Sequence, residues 1–135
     1  MAARYLLDTN IASYIIKQNV PEVRRRLRRH AMSDIAISSI TEGELSYGVS
    51  LKPSAIRLGV VVEEFLLRVT ILPWDSLAAR EYGQLRATLE QAGEPMGNLD
   101  LMIGAHAMAA GLTLVTNDRA FTRIKGLKIQ DWTKP

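Results

Sequence analysis

The sequence predicts a single α/β domain over residues 1–135, with a parallel sheet flanked by helices on both faces, and three observations carry that expectation. Short apolar runs recur along the chain at Tyr5-Leu6-Leu7, Ile35-Ala36-Ile37-Ser38, Val69 to Leu72, Thr113 to Thr116 and Leu127 to Gln130. They are the length of strands and too short for helices, and continuous apolar character suits strands covered on both faces. Longer segments with apolar residues at helical spacing lie between them, and an alternation of strand and helix implies parallel pairing. No internal repeat or low-complexity linker divides the chain.

The first run passes directly into Asp8-Thr9-Asn10 and then into Ile11, Tyr14 and Ile15 at i, i+3 and i+4. A buried strand therefore ends in a carboxylate, and Thr9 or Asn10 caps the helix that follows. Asn19-Val20-Pro21 starts a second helix, with proline near the first position, where its missing N–H is harmless. Val23 and Leu27 form its narrow apolar stripe, while Arg24, Arg25, Arg26, Arg28 and Arg29 cover the rest. That pattern suits a solvated face and a phosphate-contacting patch about equally, and the planar fork of arginine tilts it toward phosphate. His30 ends the helix as a partner for its C-terminal dipole.

After the second strand, Thr41 and Glu44 match a capping box, and Pro53 to Leu67 continues helical with Ile56 and Val60 on its apolar side. Asp75 to Ala92 is an amphipathic helix with Leu77, Ala78, Tyr82, Leu85 and Leu89 inward, ending at Gly93. Asn98 caps the next helix, which carries Asp100 in its first turn and ends at Gly111. Asn117-Asp118 follow the fourth strand, and a short tail holds Trp132.

Composition narrows the chemistry. At 135 residues and 47% hydrophobic content the chain can bury a real core. No run reaches the ~18 apolar residues of a membrane span and the start lacks a signal segment, so the expectation is a cytoplasmic protein with no membrane association. With no cysteine and only His30 and His106, thiolate nucleophiles, cysteine zinc sites and multi-histidine sites are excluded. A metal here must be held by oxygen, which points to magnesium or manganese. The net charge of +3 is a weak pointer to a polyanionic partner.

Four acids stand out by placement. Asp8 and Asp118 each follow a strand, and Glu44 and Asp100 are expected in the first turns of helices; in a parallel sheet those places share one rim. Each alone has an ordinary role, as strand end, turn, capping box or dipole partner. Four carboxylates at one rim repel and raise one another's pKa unless a cation holds them, so the expectation is a divalent ion serving phosphodiester hydrolysis, with one or two ions left open. Thr9, Asn10, Ser39, Thr116 and Asn117 stand beside the acids and are candidates to orient them. His106, six residues after Asp100, lies about 240° around the helix and is expected to be a packed or interface histidine.

The segments YLLDTNI, ISSITEGELSYG, GNLDLMIGAHAMAAGLTLVTND and FTRIKGLKIQDW, together nearly the whole chain, resemble the PIN-domain ribonucleases and in particular the toxin half of VapBC toxin-antitoxin pairs. The resemblance implies a PIN-like fold with a five-stranded parallel sheet and a Mg2+- or Mn2+-dependent endoribonuclease. It further implies RNA as substrate, with transfer RNA the first expectation, and a cognate VapB-like antitoxin that occludes the site; a homodimer is a separate expectation. Asp8, Glu44 and Asp100 match the family's acids. Relatives place the fourth acid immediately before the phenylalanine, where this chain has Ala120, so Asp118 is expected to serve from a shifted position or through water. Glu42 is a weaker substitute for Glu44, and Gly43 and Gly104, where relatives have alanine, are expected to loosen packing. Arg24, Arg25 and Arg28 are the expected RNA contacts. One alternative is a catalytically silent PIN module that binds only RNA or antitoxin. The other is a phosphoacceptor signalling domain, which normally carries an aspartate after a later, central strand, where this chain has Ser38 and Pro73.

Overall fold

A computed structural model describing residues 2–135 puts Tyr5-Leu6-Leu7 at the centre of a five-stranded sheet. Along the chain the elements are β1 (Tyr5–Leu7), α1 (Thr9–Lys17), α2 (Pro21–Leu27), β2 (Ile35–Ser38), α3 (Ser39–Ser50), α4 (Ile56–Arg68), β3 (Thr70–Leu72), α5 (Ser76–Gln91), α6 (Asn98–Ala110), β4 (Thr113–Val115) and β5 (Ile129–Gln130). Short 3-10 turns occupy Met32–Asp34 and Arg119–Arg123.

The strand order is β3-β2-β1-β4-β5 and every pairing is parallel, with Leu6 opposite Ala36 on one side and Leu114 on the other. The chain builds outward through β2 and β3, then returns to the other flank of β1 for β4 and β5. The order thus reverses between β1 and β4, and a crevice opens beyond the carboxyl ends of strands at such a reversal. Asp8 leaves β1 on one side of it, and Thr116-Asn117-Asp118 leave β4 on the other.

Successive strand residues face opposite sides, and the core divides accordingly. Tyr5, Leu7, Ile35, Ile37 and Val115 join Ile11, Val23, Phe65 and Trp132 on the side of α1, α2 and α4. Leu6, Ala36 and Leu114 join Leu89, Leu101, Ile103, Phe121 and Ile124 on the side of α5 and α6. Among the described residues no helix is long and apolar enough to cross a membrane.

Several local expectations are corrected. Asp8, not Thr9 or Asn10, caps α1, its Oδ1 accepting from Ile11 N at 2.8 Å. Ser38 caps α3, so the Thr41 and Glu44 pair is not a capping box. The chain turns at Lys52 to Ala55 before α4, because Pro53 disfavours helix at the residue preceding it. On α4 the buried face is Val62 and Phe65, and Ile56 and Val60 are exposed; Leu77 is likewise 63% exposed on α5. Gly97, not Asn98, precedes α6 as its cap residue. The first residue or residues of the outer strands fall away, leaving β3 at Thr70–Leu72 and β5 at Ile129–Gln130.

Two corrections concern packing. Gly104 is not a loose spot: a Cβ there would stand 2.6 Å from Ile124 Cδ1 and 3.5 Å from the Phe121 ring, so the missing side chain is what lets the Arg119–Arg123 turn close on α6. His30 is not a charged dipole partner. Its ring stacks on Trp132 at 5.3 Å, and burial, followed by the Arg4 charge, pushes its pKa down.

Candidate active site at the carboxylate rim

Asp8 is the centre of the site and its one fully buried acid, 4% exposed at the end of the central strand. Its two oxygens are held differently. Oδ1 accepts from Ile11 N, and Oδ2 accepts a short hydrogen bond from Thr116 Oγ1 at the end of β4. Thr116 Oγ1 also accepts from Asp118 N at 3.0 Å, so one hydroxyl spaces two of the acids. Burial raises the Asp8 pKa from 3.8 to about 6, against the lowering pull of Thr116 and Ile11, and Asp100 and Asp118 add to the rise.

Glu44 lies in the second turn of α3, not the first, because that helix begins at Ser39. Thr9 Oγ1 donates to Glu44 Oε1 at 2.6 Å and lies 3.0 Å from Thr41 Oγ1. Thr9 has one hydroxyl proton and gives it to the carboxylate, so Thr41 donates to Thr9. The resulting chain, Thr41 to Thr9 to Glu44, joins α1 and α3 and aims the acid. Thr9→Val keeps the shape and removes the hydrogen bonds. Its expected effect is a loss of about 10- to 100-fold in single-turnover RNA cleavage; cleavage equal to the parent's would remove Thr9 from the site.

Asp100 sits in the first turn of α6, half-buried beside Gly97. Burial raises its pKa first, and the charges of Asp118 and Glu44 raise it further. Asp118 caps the Arg119–Arg123 turn through Ala120 N at 2.9 Å. Asp100 therefore feels both Glu44 and Asp118, and Asp8 feels Asp100 and Asp118, but for Asp8 and Asp100 burial outweighs the repulsion. Among the described residues none of the ion pairs involves these four acids, and no three acidic or histidine side chains are already gathered as a ligand shell for one ion. The set is hard oxygen without a basic counter-charge, a donor chemistry suited to Mg2+ or Mn2+.

The other expected residues divide. Thr9 and Thr116 touch the acids; Asn10 is exposed, and Asn117 reaches Tyr14 Oη at 3.5 Å. Ser39 Oγ accepts from Trp74 N, and Glu42 lies in the first turn of α3. A groove of about 270 Å³ runs from Thr9 and Glu44 between α1, α3 and α4 toward Lys17 and Lys52. Arg24, Arg25 and Arg28 line a separate depression with Gln18 and Pro21, and Arg25 pairs with Glu22. Sequence reasoning missed Thr41 as a partner of Thr9, since its place three residues before a glutamate reads as a cap. His106 is packed as expected, but its bond to Ser38 Oγ has no signal in sequence, the two lying 68 positions apart.

The PIN domain family model matches residues 5–127. The chain is 40% identical over 131 residues to a tRNA(fMet)-specific endonuclease VapC of Shigella flexneri, covering 96% of this chain and 98% of that one. It is 42% identical over 130 residues to the tRNA(fMet)-specific endonuclease VapC of Salmonella typhimurium, with the same coverage. The crystal structure of DNA-bound VapBC from Salmonella typhimurium superposes with a TM-score of 0.90 at 41% identity, over 96% of this chain and 98% of that one. With the β1/β4 crevice and its carboxylates in place, the chain belongs to the PIN domain family and, within it, to the VapC ribonucleases.

Proposed function

We propose that this ribonuclease cleaves transfer RNA with a magnesium or manganese ion held by Asp8, Glu44, Asp100 and Asp118, and that a VapB-like antitoxin silences it. The observation that carries the metal reading is a rim of four carboxylates with no ion-paired lysine or arginine among the described residues, two of them with raised pKa. Magnesium is usually held by one or two carboxylates together with waters and substrate phosphates, so some of the four acids act on it through water and not as direct ligands. When bound, such an ion polarises a phosphate oxygen and activates water. The residues do the rest: Thr116 and Ile11 N fix Asp8, Thr9 fixes Glu44, and the first turn of α6 carries Asp100 while its N–H groups favour an anionic phosphate nearby. The names of the two enzymes from Shigella flexneri and Salmonella typhimurium support transfer RNA as substrate, and the VapBC complex supports the antitoxin. Exposed Tyr47, Leu51 and Leu99 leave apolar surface that suits a homodimer.

The test is cleavage of a transfer RNA pool by the purified chain in magnesium, after chelation, and after manganese is restored. Chelation is expected to abolish cleavage and manganese to return it. Cleavage that survives chelation overturns the metal reading, and a folded, manganese-binding chain that cleaves no RNA is the silent module. Arg24 and Arg28 are proposed to contact RNA phosphates away from the acids. Arg24→Gln with Arg28→Gln is then expected to weaken RNA binding uniformly and to lower the salt slope by about 1 per contact. An unchanged slope in filter binding would place RNA elsewhere.

A further inference from the structure

His106 is 4% exposed and directs Nδ1 at Ser38 Oγ, 2.8 Å away. Ser38 is fully buried, and its Oγ accepts from Ile40 N at 3.1 Å, which caps α3. A hydroxyl has one proton to give, and Ser38 has no other acceptor among the described hydrogen bonds. A proton on His106 Nδ1 would leave that hydroxyl proton unmatched in the interior, a costly arrangement. The pair is satisfied when Ser38 donates and Nδ1 accepts, so the ring is neutral with its proton on Nε2. Burial also pushes the His106 pKa down, more than the nearby Asp75 raises it.

The same turn of α6 is gripped a second time. Trp74 Nε1 donates to Met102 O at 2.9 Å, the carbonyl that the His106 backbone N–H meets within the helix, while Trp74 N donates to Ser39 Oγ at 3.0 Å. Both links run to the junction of β2 with α3. Elsewhere α6 meets its neighbours through Leu101, Ile103, Gly104, Ala105 and Ala107, apolar or small groups whose contacts carry no hydrogen-bond direction. The buried bond to Ser38 adds that direction and fixes how α6 sits against α3. Asp100 precedes His106 by six residues on α6, and Glu44 follows Ser38 by six at α3, so each carboxylate lies roughly 9 Å of helix rise from the link.

We propose that His106 is a positioning residue for the candidate metal site: its bond to Ser38 sets the height and rotation of α6 against α3, and with them the spacing of Asp100 from Glu44. The inference rests on the metal reading of those acids and is independent of which RNA is cleaved.

Two measurements test it without RNA. Nitrogen NMR of the metal-free wild-type chain at neutral pH is expected to show His106 as the Nε2–H tautomer; a proton on Nδ1 overturns the proposal. Manganese titration followed by electron paramagnetic resonance is then compared for wild type, His106→Phe, Ser38→Ala, the double variant and His106→Asn, with thermal unfolding to establish that each is folded. His106→Phe and Ser38→Ala are each expected to weaken manganese about 10- to 100-fold. The double variant is expected to be no weaker than either single one, because both cut one bond. His106→Asn, whose Oδ1 can accept from Ser38, is expected to recover most of the affinity. Wild-type affinity in the His106→Phe chain, or His106→Asn as weak as His106→Phe, overturns the proposal alone. Failure of the wild type to bind manganese overturns the metal reading and the proposal together. Where His106→Phe does not fold, Ser38→Ala and the tautomer decide.

Discussion

Asp8→Asn is expected to abolish cleavage, by about 100-fold or more, while making the metal-free protein more stable above pH 6. The first effect follows because loss of a partner that merely orients a metal ligand already costs about 10- to 100-fold, and a central ligand exceeds that. The second follows from linkage. The folded-state pKa of Asp8 lies above its unfolded value, so the favourable contribution of its protonated form is fully present below about pH 4 and is lost as pH rises through about 6. A rise from 3.8 to about 6 corresponds to about 3 kcal/mol, the upper bound on what the neutral asparagine recovers. Urea unfolding in chelator should therefore show wild-type stability falling between pH 4 and 6 relative to the variant. Manganese should close most of that gap, since a ligand at 100 times its dissociation constant adds about 2.7 kcal/mol to wild type and little to Asp8→Asn. Equal stabilisation of both would remove Asp8 from the metal site.

The parts of this picture that were legible in the sequence are those governed by local pattern. Tyr5-Leu6-Leu7 and Ile35 to Ser38 read as buried strands because both faces of a parallel sheet are covered, and Asp8 follows the first of them at the rim. Asp100 is legible in a first turn because a polar start at Asn98 and a glycine at Gly111 bracket one apolar helical segment, and a one-residue shift of the cap to Gly97 leaves it there. The turn that holds Glu44 is not legible, because Ser38, Ser39 and Thr41 all have capping side chains and only the fold selects Ser38. Which side of α4 is buried was also beyond local reading, since Ile56, Val60, Val62 and Phe65 offer more than one apolar face and the neighbouring sheet chooses Val62 and Phe65. Thr9 with Thr41, and Ser38 with His106, are long-range pairs with no local signature.

Trp132→Ala is expected to cost about 3–5 kcal/mol, the range for truncating a large buried aromatic, although the residue stands three from the chain's last in this sequence. Trp132 has no exposure and packs in the same core cluster as Tyr5, Val23 and Ile35. Its ring lies flat against His30, meets Tyr5 edge-on at 5.3 Å, and carries the Arg26 guanidinium 6.0 Å from its centre, while its Nε1 donates to Gln130 Oε1 at 2.9 Å. It therefore joins β5, β1 and α2, and its loss leaves a cavity among elements that cannot collapse without breaking the sheet register. The neutral His30 ring beside it gains a further consequence. With its pKa lowered, the stability present above about pH 6.5 declines as pH falls, because the unfolded histidine takes up a proton first. Urea unfolding of Trp132→Ala measures the first effect and limited proteolysis between α2 and β2 locates it. A cost below about 1 kcal/mol, the scale of an ordinary surface substitution, would show that the closing segment is dispensable and that α2 is held by Val23 alone.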